Sequence, residues 1–88
     1  MDIINKNIII TGASTGIGNA IVRELSKSRC NLFILARRIE LLEEIKDSLK
    51  NNPAKIYCIK NDVGDKSSVE HAYKKIIETA GNIDIAIL

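Results

Sequence analysis

The sequence predicts an α/β fold, a doubly wound parallel sheet with helices on both faces, and three observations carry that prediction. Short runs apolar on both faces alternate with segments apolar at helical spacing, in the order strand, helix, strand, helix, strand, helix, strand. The first run opens directly into a glycine-rich turn that enters a helix. No repeat, low-complexity run or linker interrupts the 88 residues, so residues 1–88 are expected to form one domain.

The elements follow in order. Ile8 to Thr11 is a solidly apolar, β-branched run, as a strand buried on both faces requires. Gly12 to Gly16 forms the turn. Ile17, Ala20, Ile21 and Leu25 then recur at helical spacing, with Arg23, Glu24 and Lys27 opposite them. Leu32 to Ala36 is the second strand. Leu41, Leu42, Ile45 and Leu49 mark a second helix, which must stop before Asn51-Asn52-Pro53. Lys55 to Ile59 is the third strand, and Asn61 to Lys66 a turn. Ser67 and Glu70 have the spacing of a capping box. Val69, Ala72, Tyr73, Ile76, Ile77 and Ala80 give a third helix, whose stripe places Tyr73 in the core. Gly81 suits the left-handed residue after that helix. Ile83 to Leu88 is the fourth strand. Right-handed crossovers leave few topologies for such a chain, and the strand order 3-2-1-4 is expected.

Composition narrows the function. Apolar residues make up 45% and charged residues 27%, ordinary for a globular domain, while aromatics are 3%, so the core is aliphatic. A net charge of +2 gives no footprint for nucleic acid. No stretch reaches the ~20 apolar residues of a membrane span, and the opening residues do not read as a signal peptide, so a cytoplasmic protein is expected. Cys30 and Cys58 lie at or within apolar segments, outside any Cys-x-x-Cys pattern, and read as reduced thiols rather than a disulfide or metal site. His71, the single histidine, has no neighbour to orient it for chemistry.

The chemistry lies in Thr11-Gly12-Ala13-Ser14-Thr15-Gly16-Ile17-Gly18, between the first strand and the first helix. A helix N-terminus leaves backbone N–H groups unpaired and carries partial positive charge, which a pyrophosphate satisfies if it can approach closely. Gly12 permits the turn out of the strand, Gly16 removes a side chain from the phosphate's path, and Gly18 lets the helix pack tightly on the sheet. Ser14 and Thr15 add hydroxyl donors. A turn without a ligand is the alternative reading of the same residues. Past the second strand, Arg37 and Arg38 stand where a dinucleotide fold places an acidic residue on the adenosine ribose. A guanidinium there pairs with a 2′-phosphate instead, unless both arginines merely solvate a loop.

The spacing T-G-x-x-x-G-x-G resembles the fingerprint of the short-chain dehydrogenases/reductases, whose fold is Rossmann-type. The resemblance runs through four places in order and covers nearly the whole chain. It implies a nicotinamide dinucleotide held by Gly12, Ser14, Thr15, Gly16, Ile17 and Gly18. An arginine directly after the second strand resembles NADP-preferring members, so NADP is expected before NAD, with Arg37 as first reader of the phosphate and Arg38 second. Thr15 departs from the basic residue many such members carry in the loop. Asp62-Val63 resembles the family's adenine clamp, though an aspartate shaping a turn reads equally from the residues alone. Gly81 to Leu88 resembles the lead-in to the fourth strand, with Asp84 structural. Arg29 stands where the family usually has a glycine that closes the first helix, so strain or a different turn is expected there.

The family's catalytic Ser and Tyr-x-x-x-Lys are expected beyond Leu88. Tyr57 is followed four residues on by Asn61 and Tyr73 by Ile77, so neither makes the pair. The resemblance thus implies the N-terminal, cofactor-binding part of a reductase or dehydrogenase, inactive alone and marginally stable or sticky because its fourth strand is an apolar edge. The whole protein would act on a small-molecule substrate and associate as a homo-oligomer. A non-catalytic NADP- or adenine-nucleotide-binding module, and an inactive truncated product, are the alternatives.

Overall fold

The computed structural model describes residues 2–62 and 64–87. Seven elements follow one another: β1 (Asn7–Thr11), α1 (Gly16–Leu25), β2 (Asn31–Ala36), α2 (Ile39–Ser48), β3 (Lys55–Lys60), α3 (Lys66–Ala80) and β4 (Ile85–Ile87). The strands form one parallel sheet in the order β3-β2-β1-β4, as expected. β1 is central, pairing Ile8 with Leu32 on one side and with Ile85 on the other. All three crossovers run through helices, the connection parallel strands require.

Alternation along the strands builds two cores. Ile8, Ile10, Leu32, Ile34 and Ile56 point to one face, where Val22 of α1 and Leu42 and Ile45 of α2 cover them. Ile9, Phe33, Leu35 and Ile59 point to the other, under Ala72 and Ile76 of α3. Two helices cover one face and one covers the other, which accounts for strands apolar on both sides. Phe33 and Tyr57, opposed in the β2–β3 register, stack with ring centroids 4.7 Å apart.

Packing corrects the expected helix faces. In α1 the buried residue is Val22, flanked by half-buried Ile21 and Leu25, while Ile17 is 80% exposed and Ala20 is exposed too. The stripe is rotated because Gly18 seats against the backbone at the exit of β1, where a Cβ would lie 3.2 Å from Ala13 Cα. That contact turns Ile17 outward. In α3 the contact line is Ala72 and Ile76 with half-buried Val69 and Ala80. Tyr73, expected in the core, is 42% exposed, and Ile77 is also exposed, because a lone helix buries only the narrow line facing the sheet.

The helix ends also differ from expectation. α3 begins one residue before Ser67, and its cap is Asp65, whose side chain accepts from Ser67 N–H at 3.0 Å. The Ser67–Glu70 capping box is therefore not formed, and Glu70 lies 3.9 Å from Lys66 instead. At the other end, Gly81 adopts φ +84 and donates its N–H to Ile77 O at 2.8 Å, closing the helix as expected of a glycine. At Arg29 the turn differs from a glycine closure. α1 ends at Leu25, and the sole non-glycine residue with positive φ among those described is Asn5, whose N–H donates to Arg29 O at 2.8 Å.

A polar clamp fixes β4 at the opposite end of the sheet from the glycine turn. Asp84 Oδ2 accepts from Asn7 N–H at 2.8 Å, and Asn82 Nδ2 donates to Asp84 Oδ1 at 3.1 Å. Asn7 Nδ2 donates to both Asn82 O and Oδ1, and Asn31 Nδ2 donates to Asn7 Oδ1 at 2.9 Å. Asp84 is thus structural, as the resemblance implied. Cys30 is buried and Cys58 half-buried, both as free thiols. Among the described residues no helix is long and apolar enough to cross a membrane.

Candidate nucleotide-binding cleft

Parallel strands end together, so their C-terminal ends and the loops that leave them make one surface. Here that surface is a cleft of about 680 Å³ over the ends of β1, β2 and β3. Gly12, Ser14 and Thr15 form one wall, Arg37, Arg38 and Leu41 another, and Asn61, Asp62 and Gly64 the third. The sheet brings together residues up to 53 positions apart in sequence, Thr11 and Gly64. The topological switch point, between β1 and β4, borders this cleft, and there Thr11 Oγ1 donates to Ile87 O at 3.5 Å.

The glycine turn is locked from below. Ala13 is fully buried and its N–H donates to Leu35 O at 3.2 Å, which ties the loop to the end of β2. Asn19 Nδ2 holds Ser14 O at 3.3 Å from above. Gly12 and Gly16 both take positive φ, +61 and +58, which L side chains adopt at a cost. A Cβ on Gly16 would meet nothing within 4 Å, so its outer side is open to an approaching group. Gly18 is tight against Gly12 and Ala13, the loop's own backbone, rather than against the sheet.

The N-terminus of α1 is electrostatically unsatisfied. Thr15 occupies the cap position in extended conformation, yet its side chain makes no capping bond. The first turn holds no acidic residue. Its N–H groups and the partial positive charge of the helix end therefore lack any side-chain acceptor. Gly16, Ile17 and Gly18 supply this turn but do not line the cleft itself.

The two arginines differ in engagement. Arg38 occupies the N-cap position of α2 without a side-chain cap bond, and its Nε lies 2.9 Å from Glu40 Oε1. The Glu40 backbone N–H, and then Arg38, hold the Glu40 carboxyl below the usual carboxylate range. Arg37 is exposed in the turn between β2 and α2 and has no carboxylate within ion-pair distance among the described residues. The tip of β2 thus presents one uncommitted guanidinium to the cleft.

Asp62 is half-buried and shapes its own turn: Oδ1 accepts from Gly64 N–H at 3.0 Å, and Asp62 N–H donates to Ser68 Oγ at 2.9 Å. Its Oδ2 makes no such bond among the described residues. Val63 lies outside the described residues. Leu41 and Asn61 line the cleft although their positions had marked them only as core and turn. For Asn61 the available signal was its place directly before the aspartate at the end of β3.

Comparison with known proteins agrees with this geometry. The family model described as short chain dehydrogenase matches residues 6–88. An uncharacterized oxidoreductase of Listeria monocytogenes is 39% identical over 88 residues, covering 100% of this chain and 36% of the relative. The glycine betaine reductase of Emericella nidulans is 35% identical over 82 residues, 93% of this chain and 6% of that protein. Among solved structures, the alcohol dehydrogenase of the archaeon Thermococcus sibiricus, complexed with 5-hydroxy-NADP, superposes with a TM-score of 0.86 at 36% identity, covering 92% of this chain and 35% of that one. A short-chain type dehydrogenase/reductase of Mycobacterium marinum gives a TM-score of 0.89 at 29% identity, covering 97% and 34%. The chain spans about a third of the length of the two dehydrogenases and of the Listeria oxidoreductase. With its glycine turn, its strand order and this match over residues 6–88, the chain belongs to the short-chain dehydrogenase family of oxidoreductases.

Proposed function

We propose that this chain is the NADP-binding part of a short-chain dehydrogenase/reductase that transfers hydride between NADP(H) and a carbonyl or alcohol carbon. The observation that carries the reading is that Thr15, the cap residue of a helix N-terminus without a side-chain cap, and an uncommitted arginine line one cleft. The first suits a pyrophosphate, and the second a phosphate on the adenosine ribose. The residues fit the cofactor. The first turn of α1 has no acidic side chain to repel a phosphate, and Gly16 leaves the approach open.

In this reading the backbone of Gly12 to Gly18 binds the pyrophosphate, with Ser14 and Thr15 as hydroxyl donors. Arg37 pairs with the 2′-phosphate, and Arg38, at the start of α2, adds charge. Asp62 accepts from the adenine amine through Oδ2, and Val63 is the second residue of that adenine clamp. NAD, lacking the 2′-phosphate, gains nothing from Arg37 and binds more weakly. When bound, the dinucleotide supplies the hydride; this chain's residues hold its adenosine half and exclude water beneath it. Neither Tyr57 nor Tyr73 is followed by the lysine that the family pairs with its catalytic tyrosine. That same observation favours a second reading, a nucleotide-binding module without catalysis. A small-molecule substrate, a homo-oligomer and a cytoplasmic location belong to the proposal for the whole protein.

Arg37→Asp tests the cofactor choice. Losing a charged hydrogen bond costs roughly 1.5–3 kcal/mol, and the new carboxylate repels the phosphate. NADP affinity, measured by calorimetric titration, is expected to fall at least tenfold while NAD affinity holds or rises. Unchanged affinity for both removes Arg37 as the reader.

A further inference from the structure

Asn61 differs from the other buried polar residues of the described chain. It is 5% exposed, and its N–H donates to Ala36 O at 2.9 Å, the last bond of the β2–β3 ladder. Its Oδ1 is shielded from water and has no hydrogen-bond partner among the described residues. The other two are satisfied: Asn7 by Asn31 and Asn82, and Ser26 by Arg23 O and Asn52. A buried acceptor without a donor is destabilising, and an apolar residue of the same size would remove that cost. The unpaired amide lies where the cleft is lined by Asn61 and Asp62 together.

We propose that Asn61 is a specificity-determining residue of this cleft, its carboxamide oxygen accepting a hydrogen bond from the exocyclic amine of an adenine base. The inference rests on the nucleotide-binding reading above. An adenine amine carries two N–H groups. Asp62 holds one carboxylate oxygen in its turn and has the other for one N–H, and Asn61 accepts the second. The terminal torsion of an asparagine is broad and soft, so the oxygen turns readily toward an entering donor. A base with an oxo group in the amine's place offers no donor to Asn61 Oδ1 and sets its oxygen against the acceptor-only Asp62 carboxylate, so it binds more weakly.

The test is calorimetric binding of NADP and of its deamino analogue, in which an oxo group replaces the amine, to the whole chain and to Asn61→Leu, with melting temperatures for both. The wild type is expected to prefer NADP. Asn61→Leu should lower NADP affinity about tenfold, the factor one ordinary hydrogen bond carries, leave the analogue's affinity unchanged, and melt no lower than wild type. An unchanged preference, or equal loss for both ligands, overturns the proposal and assigns Asn61 to the fold alone. Should that variant fail to fold, Asn61→Ala gives the same comparison: selective loss of NADP affinity supports the proposal, and an unchanged preference or equal loss overturns it. A wild type that binds neither dinucleotide instead overturns the nucleotide reading, and the role of Asn61 with it.

Discussion

Gly18→Ala probes whether the glycine turn and the first turn of α1 act as one rigid cradle. A Cβ at Gly18 would fall inside contact distance of the Gly12 carbonyl oxygen, 3.0 Å from the Gly12 carbonyl carbon and 3.2 Å from Ala13 Cα. All three atoms are backbone, so no rotamer change relieves the clash. Carbon–carbon contacts settle near ~3.5–4.0 Å, so the Gly12–Ala13 segment or the helix must move by roughly 0.5–1 Å. That segment is not free to move, because Ala13 is fully buried and bonded to Leu35 O at 3.2 Å. Overpacking of this kind costs about 1–3 kcal/mol. Replacing glycine within a helix returns about 1 kcal/mol. The net expectation is a stability loss of about 0–2 kcal/mol in urea denaturation. NADP affinity should fall further than stability does, because Gly12 lines the cleft. Gly16→Ala is the control: it meets no atom within 4 Å, but its φ of +58 costs about 1–2 kcal/mol as strain. If Gly18→Ala is more stable than wild type by the full helix-propensity gain and binds NADP unchanged, the rigid-cradle argument is wrong.

Three further outcomes are expected. Asn7→Ala leaves the amides of Asn31 and Asn82 without their partner; stability should drop by about 1–3 kcal/mol, with faster hydrogen exchange across β4. Asp65→Ala should cost about 1 kcal/mol, whereas Ser67→Ala, at a position the expected capping box would make critical, should be nearly neutral by the same denaturation assay. Burial, with Glu43 adding and Lys46 opposing, pushes the Cys58 thiol up to about 11 from an ordinary 9.0. The folded state therefore keeps the proton that the unfolded chain loses, so this contribution to stability is complete below pH 9 and fades as pH rises towards about 11. Cys58→Ser should flatten that alkaline decline, and alkylation of Cys58 at pH 8 should be slower than that of a free thiol.

Local signals in the sequence located nearly every element, and the misses share one cause. Strands apolar on both faces, the turn residues between them and the stop at Asn51-Asn52-Pro53 are short-range properties, so β1 to β3 and all three helices were legible to within a residue or so at most ends. Helix rotation was not. The spacing of Ile17, Ala20 and Ile21 defines an apolar stripe, but several neighbouring arcs satisfy the same period, and the contact of Gly18 with Gly12 selects the one through Val22. Tyr73 shows the same limit: periodicity placed it on the apolar side of α3 but did not say how wide a line one helix buries against a sheet.

The sequence by itself determined the parallel α/β fold, the order of its strands, the glycine turn from Gly12 to Gly18 and the arginine at the tip of β2. Each rests on backbone preferences and spacing that hold wherever the segment lies. Only the tertiary structure decided which residues share the cleft and which groups are left uncommitted in it. Among the described residues Arg38 is paired with Glu40 and Arg37 is not, Asp62 spends one oxygen on its own turn, and Asn61 is buried without a donor. Those facts depend on strand ends meeting across the sheet, and on partners distant in sequence, which no local pattern encodes.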